Sequence, residues 1–176
     1  LISYSMTSRA TNAALGFEEA RSVRLANPYS VETAEMRRSV FCSLLPRAAE
    51  NLRRAPSAAY FECGKVFRKE SGEVVEKLSA AGVLVGKPLS EIQAVLLAYA
   101  RTFFPGAEIS LRQAQSGAHA NVLHPNMSCF VSADGRDVAV FGAPHPRAAQ
   151  HFGLEGAEVW LFELAGDLPA ALPSGH

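Results

Sequence analysis

Hydrophobic and polar positions along the chain alternate in two distinct rhythms. From Leu1 to Met6 the period is two, with Ile2, Tyr4 and Met6 set against Ser3 and Ser5, which predicts a short strand. Ser8 to Phe17 begins a helix that Gly16 breaks, and Val23–Leu25 is extended until Asn27-Pro28 imposes a turn. Thr33–Arg38 reads as a polar approach to a firmer helix. There Ser43 is the expected N-cap, Pro46 sits in the first turn, and Leu44, Leu45, Ala48, Ala49 and Leu52 recur at helical spacing. Pro56 stops that helix. Strands follow over Ala58–Arg68 and Leu78–Val85, joined by a charged connection expected to be extended and mobile, Lys69–Lys77, with Gly72 near its tip. Ser90 and Glu91 open the strongest helix, whose apolar face is Ile92, Val95, Leu96, Tyr99 and Phe103, and Pro105-Gly106 ends it. Strands are expected at Glu108–Gln113, Met127–Ser132 and Asp137–Phe141, with Asp134-Gly135 as a hairpin turn between the last two. A short helix, Arg147–His151, and a final strand, Val159–Leu164, complete the series. Runs of antiparallel strands with a few segregated helices predict an α+β fold, an antiparallel sheet flanked by helices.

Length and charge narrow the picture. One domain over residues 1–176 fits the length, and 48% apolar residues suffice for a packed core. The 17 Lys and Arg balance the 17 Asp and Glu, so no general field draws the chain to nucleic acid or anionic lipid. No apolar run approaches the roughly 18–20 residues that span a bilayer. Cys42, Cys63 and Cys129 are odd in number and share no short spacing, which argues against a disulfide framework and for a reducing, cytoplasmic setting. The chain starts at Leu1 rather than Met and reads as a fragment of a longer one.

Candidate chemistry is sparse. His119, His124, His145, His151 and His176 do not pair at zinc-site spacing, so no metal site is expected. There is no phosphate-binding Gly-rich loop opening a helix and no nucleophile elbow. The segment Tyr60–Ser71 is more informative. Phe61, Cys63 and Phe67 share one strand face, and Gly64 permits close approach to the backbone. Arg68 could clamp a phosphate at the strand exit, and Glu70 could accept a hydrogen bond from an amino group. Ordinary surface charges at a hairpin end explain the same residues.

The order of several short motifs resembles the β chain of bacterial phenylalanyl-tRNA synthetase. Val23-Arg24-Leu25-Ala26-Asn27-Pro28-Tyr29-Ser30, then Met36-Arg37-Arg38-Ser39, Leu44-Leu45 and Asn51-Leu52-Arg53-Arg54 resemble its V-x-L-x-N-P-x-S, M-R-x-S, L-L and N-x-x-R marks. Phe61-Glu62-Cys63-Gly64-Lys65-Val66-Phe67 is similar to F-E-x-G-[RK]-V-F. Leu1–Ser5 resembles the strand after the family's motif 1 helix, and Leu123-His124-Pro125, Gly142-x-x-His145-Pro146 and Phe162-Glu163-Leu164 follow in order. The chain departs from the pattern where Val85 passes almost directly to Gly86-Lys87-Pro88, and at Asn126-Met127 and Ala143-Pro144, which replace the family's Gly-Arg and Glu-Leu.

The resemblance implies a class II aminoacyl-tRNA synthetase-like, catalytic-like module that packs against a catalytic α chain in an α₂β₂ assembly. ATP and magnesium then serve the holoenzyme, none being implied in this fragment, and tRNA is met mainly by other domains. Asn27, Pro28, Arg37, Glu62, Gly64, His124 and His145 become structural or interface candidates, with no catalytic residue among them. Arg68 and Glu70 become remnants of a nucleotide site, because no arginine follows Arg147 to supply a second phosphate clamp. The alternatives are an active ATP-dependent adenylate-forming enzyme using Arg68 and Glu70, and a metal-dependent hydrolase using His124, His145 and Glu62 or Glu163.

Two further expectations concern packing. Glu62 lies between apolar Phe61 and Cys63 and requires a cation or backbone donors, with Arg37 a candidate. Ile2, Tyr4, Met6, Tyr29, Val40 and Phe41 are expected to form a bare apolar face that self-association or the α chain would cover.

Overall fold

The computed structural model describes residues 2–114 and 121–164. Six strands form one antiparallel sheet: β3 (Ala58–Glu70), β4 (Glu73–Val85), β8 (Val159–Leu164), β7 (Arg136–Pro144), β6 (Leu123–Ala133) and β5 (Ile109–Gln113), in that spatial order. A two-stranded ribbon, β1 (Met6–Thr7) with β2 (Glu35–Met36), forms a separate sheet beside β3. The helices are α1 (Arg9–Ala14), α2 (Phe41–Leu52), α3 (Leu89–Phe103) and α4 (Pro146–Phe152).

Strand alternation decides which helix covers which face. Val83 and Val85 point into a core with Leu44, Leu45 and Ala48 of α2 and Ala148 of α4. Leu84, between them, points into a second core with Ile92, Leu96 and Ala100 of α3. The sheet is therefore sandwiched, with α2 and α4 on one face and α3 on the other. This is the antiparallel α+β arrangement that the sequence pattern predicts.

Several boundaries differ from the sequence reading for identifiable reasons. The Leu1–Met6 strand shrinks to Met6–Thr7, the residues that pair with Met36 and Glu35; the Ser5 carbonyl accepts one further backbone bond from the Arg37 N–H, and the Ser3 hydroxyl turns to Glu62. Helix α2 starts at Phe41, its Phe41 N–H donating to Ser39 Oγ at 3.1 Å, so Ser43 is no N-cap and Pro46 sits a turn further in. On α3, Val95 is 49% exposed and Ala100 takes the expected buried place. The largest difference is the connection Lys69–Lys77. It is regular hairpin, paired from Ala58↔Val85 to Glu70↔Glu73 around a two-residue turn, Ser71-Gly72. Both turn residues have positive φ, 51° and 88°, the geometry that matches strand twist. Strand β8 pairs with β4 only over Ala81–Val85, so the outer half of the β3–β4 hairpin projects beyond the sheet as an arm. Its charges are exposed on a regular ribbon, as with Lys65 and Glu76 at 2.7 Å, rather than on a loop.

Candidate functional site

The deepest charges in the described residues belong to Glu35, Arg37 and Glu62. Strand alternation turns Glu35 and Arg37 inward together, and each side chain is 2% exposed. Arg37 NH1 donates to Glu62 Oε1 at 2.6 Å, to Ser43 Oγ at 2.9 Å and to Ser3 Oγ at 3.0 Å, while its Nε donates to the Lys65 carbonyl at 3.0 Å. Ser3 donates in turn to both Glu62 oxygens at 2.7 Å. Gly64 makes this possible, since a Cβ there would lie 2.0 Å from Arg37 NH2. The close approach that the sequence assigns to Gly64 is thus the approach of Arg37. All of these bonds are made within the chain, as expected of a structural network.

Beside it, a cleft of about 560 Å³ opens between the hairpin arm and the segments Gly16–Arg21 and Arg38–Ser39. Four cations border it: Arg21, Arg38, Arg68 and Lys77. Of the two remnant nucleotide-site candidates, Arg68 lines this cleft and Glu70 is bound to it, Arg68 Nε donating to Glu70 Oε1 at 2.5 Å. Arg21 reaches the same oxygen at 3.4 Å. Glu70 Oε1 is therefore a counter-ion shared by two guanidiniums. Arg38 stacks over the Phe17 ring at 4.9 Å and donates to the Glu18 carbonyl at 3.0 Å. Its Nε is buried with no hydrogen-bond partner among the described residues. Burial first, then the charges of Arg21 and Arg68, pull the Arg38 guanidinium below its ordinary pKa, against the opposing pull of Glu18.

The remaining candidates lie elsewhere. Asn27 and Pro28 occupy an exposed bend. His124 and His145 are half-buried, at the start of β6 and the end of β7, and their Nδ1 atoms accept the Asn126 and Arg147 N–H groups at 3.2 Å. The imidazoles thus serve as local turn and helix caps. No group of three or more His, Cys, Asp or Glu side chains that could hold a metal ion occurs among the described residues, and His119 and His176 lie outside them. Glu70 Oε1 is already paired with Arg68 and Arg21, and Glu18 and Glu163 also line the cleft, but no group of three or more such ligands that could hold magnesium occurs among the described residues. Of the expected apolar face, Ile2, Tyr4, Met6 and Tyr29 are 98, 81, 40 and 100% exposed, but Val40 and Phe41 are 0 and 2% exposed. Those two sit at the head of α2 and belong to the core. Sequence reasoning missed Arg38 and Arg21. The one available signal was Phe17, an aromatic in an otherwise polar stretch that provides the platform for Arg38.

The model of the phenylalanyl tRNA synthetase beta chain CLM domain matches residues 1–165. The chain belongs to this family. It is 31% identical over 160 residues to the phenylalanine–tRNA ligase beta subunit of Hahella chejuensis, covering 83% of this chain and 19% of that one. With the beta subunit of Deinococcus radiodurans the identity is 30% over 177 residues, covering 96% and 21%. The chain thus spans about a fifth of the length of the curated relatives it matches. In fold it is similar to a pyrrolysyl-tRNA synthetase from Desulfitobacterium hafniense, with a TM-score of 0.67 at 16% identity, covering 94% of this chain and 59% of that one. A second structure of that type, PylSc of the same organism, gives 0.65 at 15%, covering 93% and 57%. The class II synthetase-like fold expected from the motifs is therefore present. No helix among the described residues is long and apolar enough to cross a membrane.

Proposed function

We propose that this chain is a non-catalytic, synthetase-shaped module of a phenylalanine–tRNA ligase beta subunit, supporting assembly with a catalytic α chain. Such an α₂β₂ enzyme would charge tRNA with phenylalanine in the cytoplasm, taking ATP and magnesium on the α chain and most tRNA contacts on other domains. The observation that carries this reading is the state of the residues where a nucleotide would be handled. Arg68 and Arg21 are tied to Glu70, and no arginine lies beyond Arg147 to hold a leaving phosphate. Ile2 and Tyr4, held outward while Ser3 is fastened beneath them, supply apolar contact area of the sort partner chains use. Co-elution of the chain with a bacterial phenylalanine–tRNA ligase α chain, weakened by replacing Ile2 and Tyr4 with Ser, is the expected result. ATP–pyrophosphate exchange by the chain alone, abolished by Arg68→Ala, would overturn the proposal in favour of an adenylate-forming enzyme.

A further inference from the structure

The two edges of the main sheet are unlike. Beside β3 stands the ribbon of β1 and β2, whereas beyond β5 no strand follows among the described residues. The bonds between β5 and β6 decide which backbone groups β5 turns outward. At its two ends the Asp134 N–H donates to the Glu108 carbonyl at 3.0 Å and the Ala114 N–H to the Ser128 carbonyl at 2.9 Å. Between them the register runs without a break from Ile109↔Ala133 to Gln113↔Cys129. The even-numbered residues therefore bond to β6, and Ile109, Leu111 and Gln113 present their N–H and C=O groups to the outside.

The side chains suit this edge for pairing. Leu111 is 45% exposed, yet it lies on the face that α3 covers, because its partner Val131 belongs to the α3 core. Helix α3 contributes exposed Val95 on the same side of the sheet. Lysine, proline and bulges, the usual protection of an open strand, are missing from β5. Its one charge, Arg112, is on the other face, ion-paired with Asp137 and stacked over the Phe130 ring at 4.6 Å.

We propose that β5 pairs antiparallel with β5 of a second copy of this chain, about a two-fold axis at Leu111, so that two six-stranded sheets join into one. Self-complementarity favours a second copy over a foreign strand. With the axis at Leu111, Ile109 meets the partner's Gln113 and Leu111 meets the partner's Leu111, so every outward-facing residue enters a hydrogen-bonded pair at once. On the opposite face Arg112 meets the partner's Ser110, and no like charges are opposed. Moving the axis to Arg112 sets two guanidiniums against each other, and moving it to Ser110 leaves Gln113 past the end of the strand. Five residues a side make a small contact, below about 1,200 Å², so the dimer is weak and exchanges rapidly. This pairing is independent of the assembly role, since Ile2 and Tyr4 lie toward the other edge.

Sedimentation velocity of the whole chain, up to about 1 mM, tests the pairing, with a concentration-dependent dimer expected. Leu111→Pro removes an N–H that β6 does not use and is expected to weaken the dimer about tenfold or more, each lost bond counting twice by symmetry. Ile2→Ser with Tyr4→Ser is expected to leave the dimer unchanged. Leu111→Pro is expected to leave co-elution with the α chain unchanged, which keeps the two readings separable. Oxidation in a Cys63→Ser, Cys129→Ser background tests the register. Leu111→Cys places two Cα atoms about 5.5 Å apart across the axis, within disulfide reach, and is expected to cross-link at least about tenfold faster than Arg112→Cys. If Leu111→Pro does not fold, the cross-link decides. A monomer at every concentration, a dimer abolished by the Ile2 and Tyr4 substitutions but not by Leu111→Pro, or equal cross-linking at 111 and 112 would overturn the proposal.

Discussion

Removing Arg37 leaves Glu62 charged, 2% exposed and deprived of its guanidinium, with Ser3 as its remaining hydrogen-bond donor. Breaking one half of such a buried pair typically costs about 3–5 kcal/mol. For a domain of this size each kcal/mol moves Tm by about 2–4 °C, so Arg37→Ala is expected to lower Tm by about 6–20 °C. Replacing both partners, as Arg37→Met with Glu62→Leu, is expected to recover much of that loss, because two apolar groups need no compensation. Gly64 sharpens the test. In the native background Gly64→Ala forces a methyl to 2.0 Å from Arg37 NH2, a clash of the sort that costs about 1–3 kcal/mol. With Arg37 already truncated, the clash is gone and alanine is the better strand residue by about 0.5–1 kcal/mol. Urea denaturation of the four proteins (wild type, each single variant and the pair) should therefore give a coupling of about 1–3 kcal/mol. Equal cost of Gly64→Ala in both backgrounds would refute the account of why glycine stands there. A loss below about 1 kcal/mol for Arg37→Ala would refute the network itself.

Other consequences follow from single sites. Burial raises the Cys42 thiol from 9.0 to about 11, so folding protects it from ionising; stability is full below pH 9 and declines as pH rises toward 11, a slope that Cys42→Ala should remove in chemical denaturation. At pH 8 a disulfide reagent should modify exposed Cys63 well before buried Cys42. Burial, helped by Arg147 and His124, lowers the pKa of His145, whose contribution is therefore present above the ordinary histidine value and lost as pH falls through the depressed one. Protonation also removes the Nδ1 acceptor that caps α4, so His145→Asn should flatten the acid limb of a Tm–pH profile. Gly72 has φ 88° and open space around it, so Gly72→Val should cost about 1–2 kcal/mol from backbone strain alone and speed amide exchange in the arm.

What the sequence made legible was whatever had a strong period or a strong turn signal. Helix α3, the Asp134-Gly135 turn and strand β8 appear at or near their expected bounds. The hairpin arm was obscured because strands without a buried side carry charge on both faces, and Lys69 to Lys77 then read as loop. Ser71-Gly72 was the available clue, serine being an uncommon first residue for a turn that needs positive φ twice. Long-range geometry was the harder part. The Glu62–Arg37 pair could be guessed from the cost of burying a carboxylate, but Arg38 faces the opposite way from its neighbour, and only the fold brings it to Arg21 and Arg68.

Strand β3 lies at the margin of the sheet, a position where unpaired backbone groups invite another chain to add on. Here part of that margin is already spoken for. The Phe67 N–H donates to the Arg37 carbonyl at 2.9 Å, and the Arg37 N–H donates to the Ser5 carbonyl at 2.8 Å. The stretch around Arg37 thus acts as a guard rail, and Arg37 has two duties: its side chain neutralises Glu62, and its backbone occupies the sheet's open flank. A lesion that frees this stretch would do more than lower stability. It would hand the protein a sticky edge beside Phe61, which is 50% exposed, and turn a folding defect into an aggregation route.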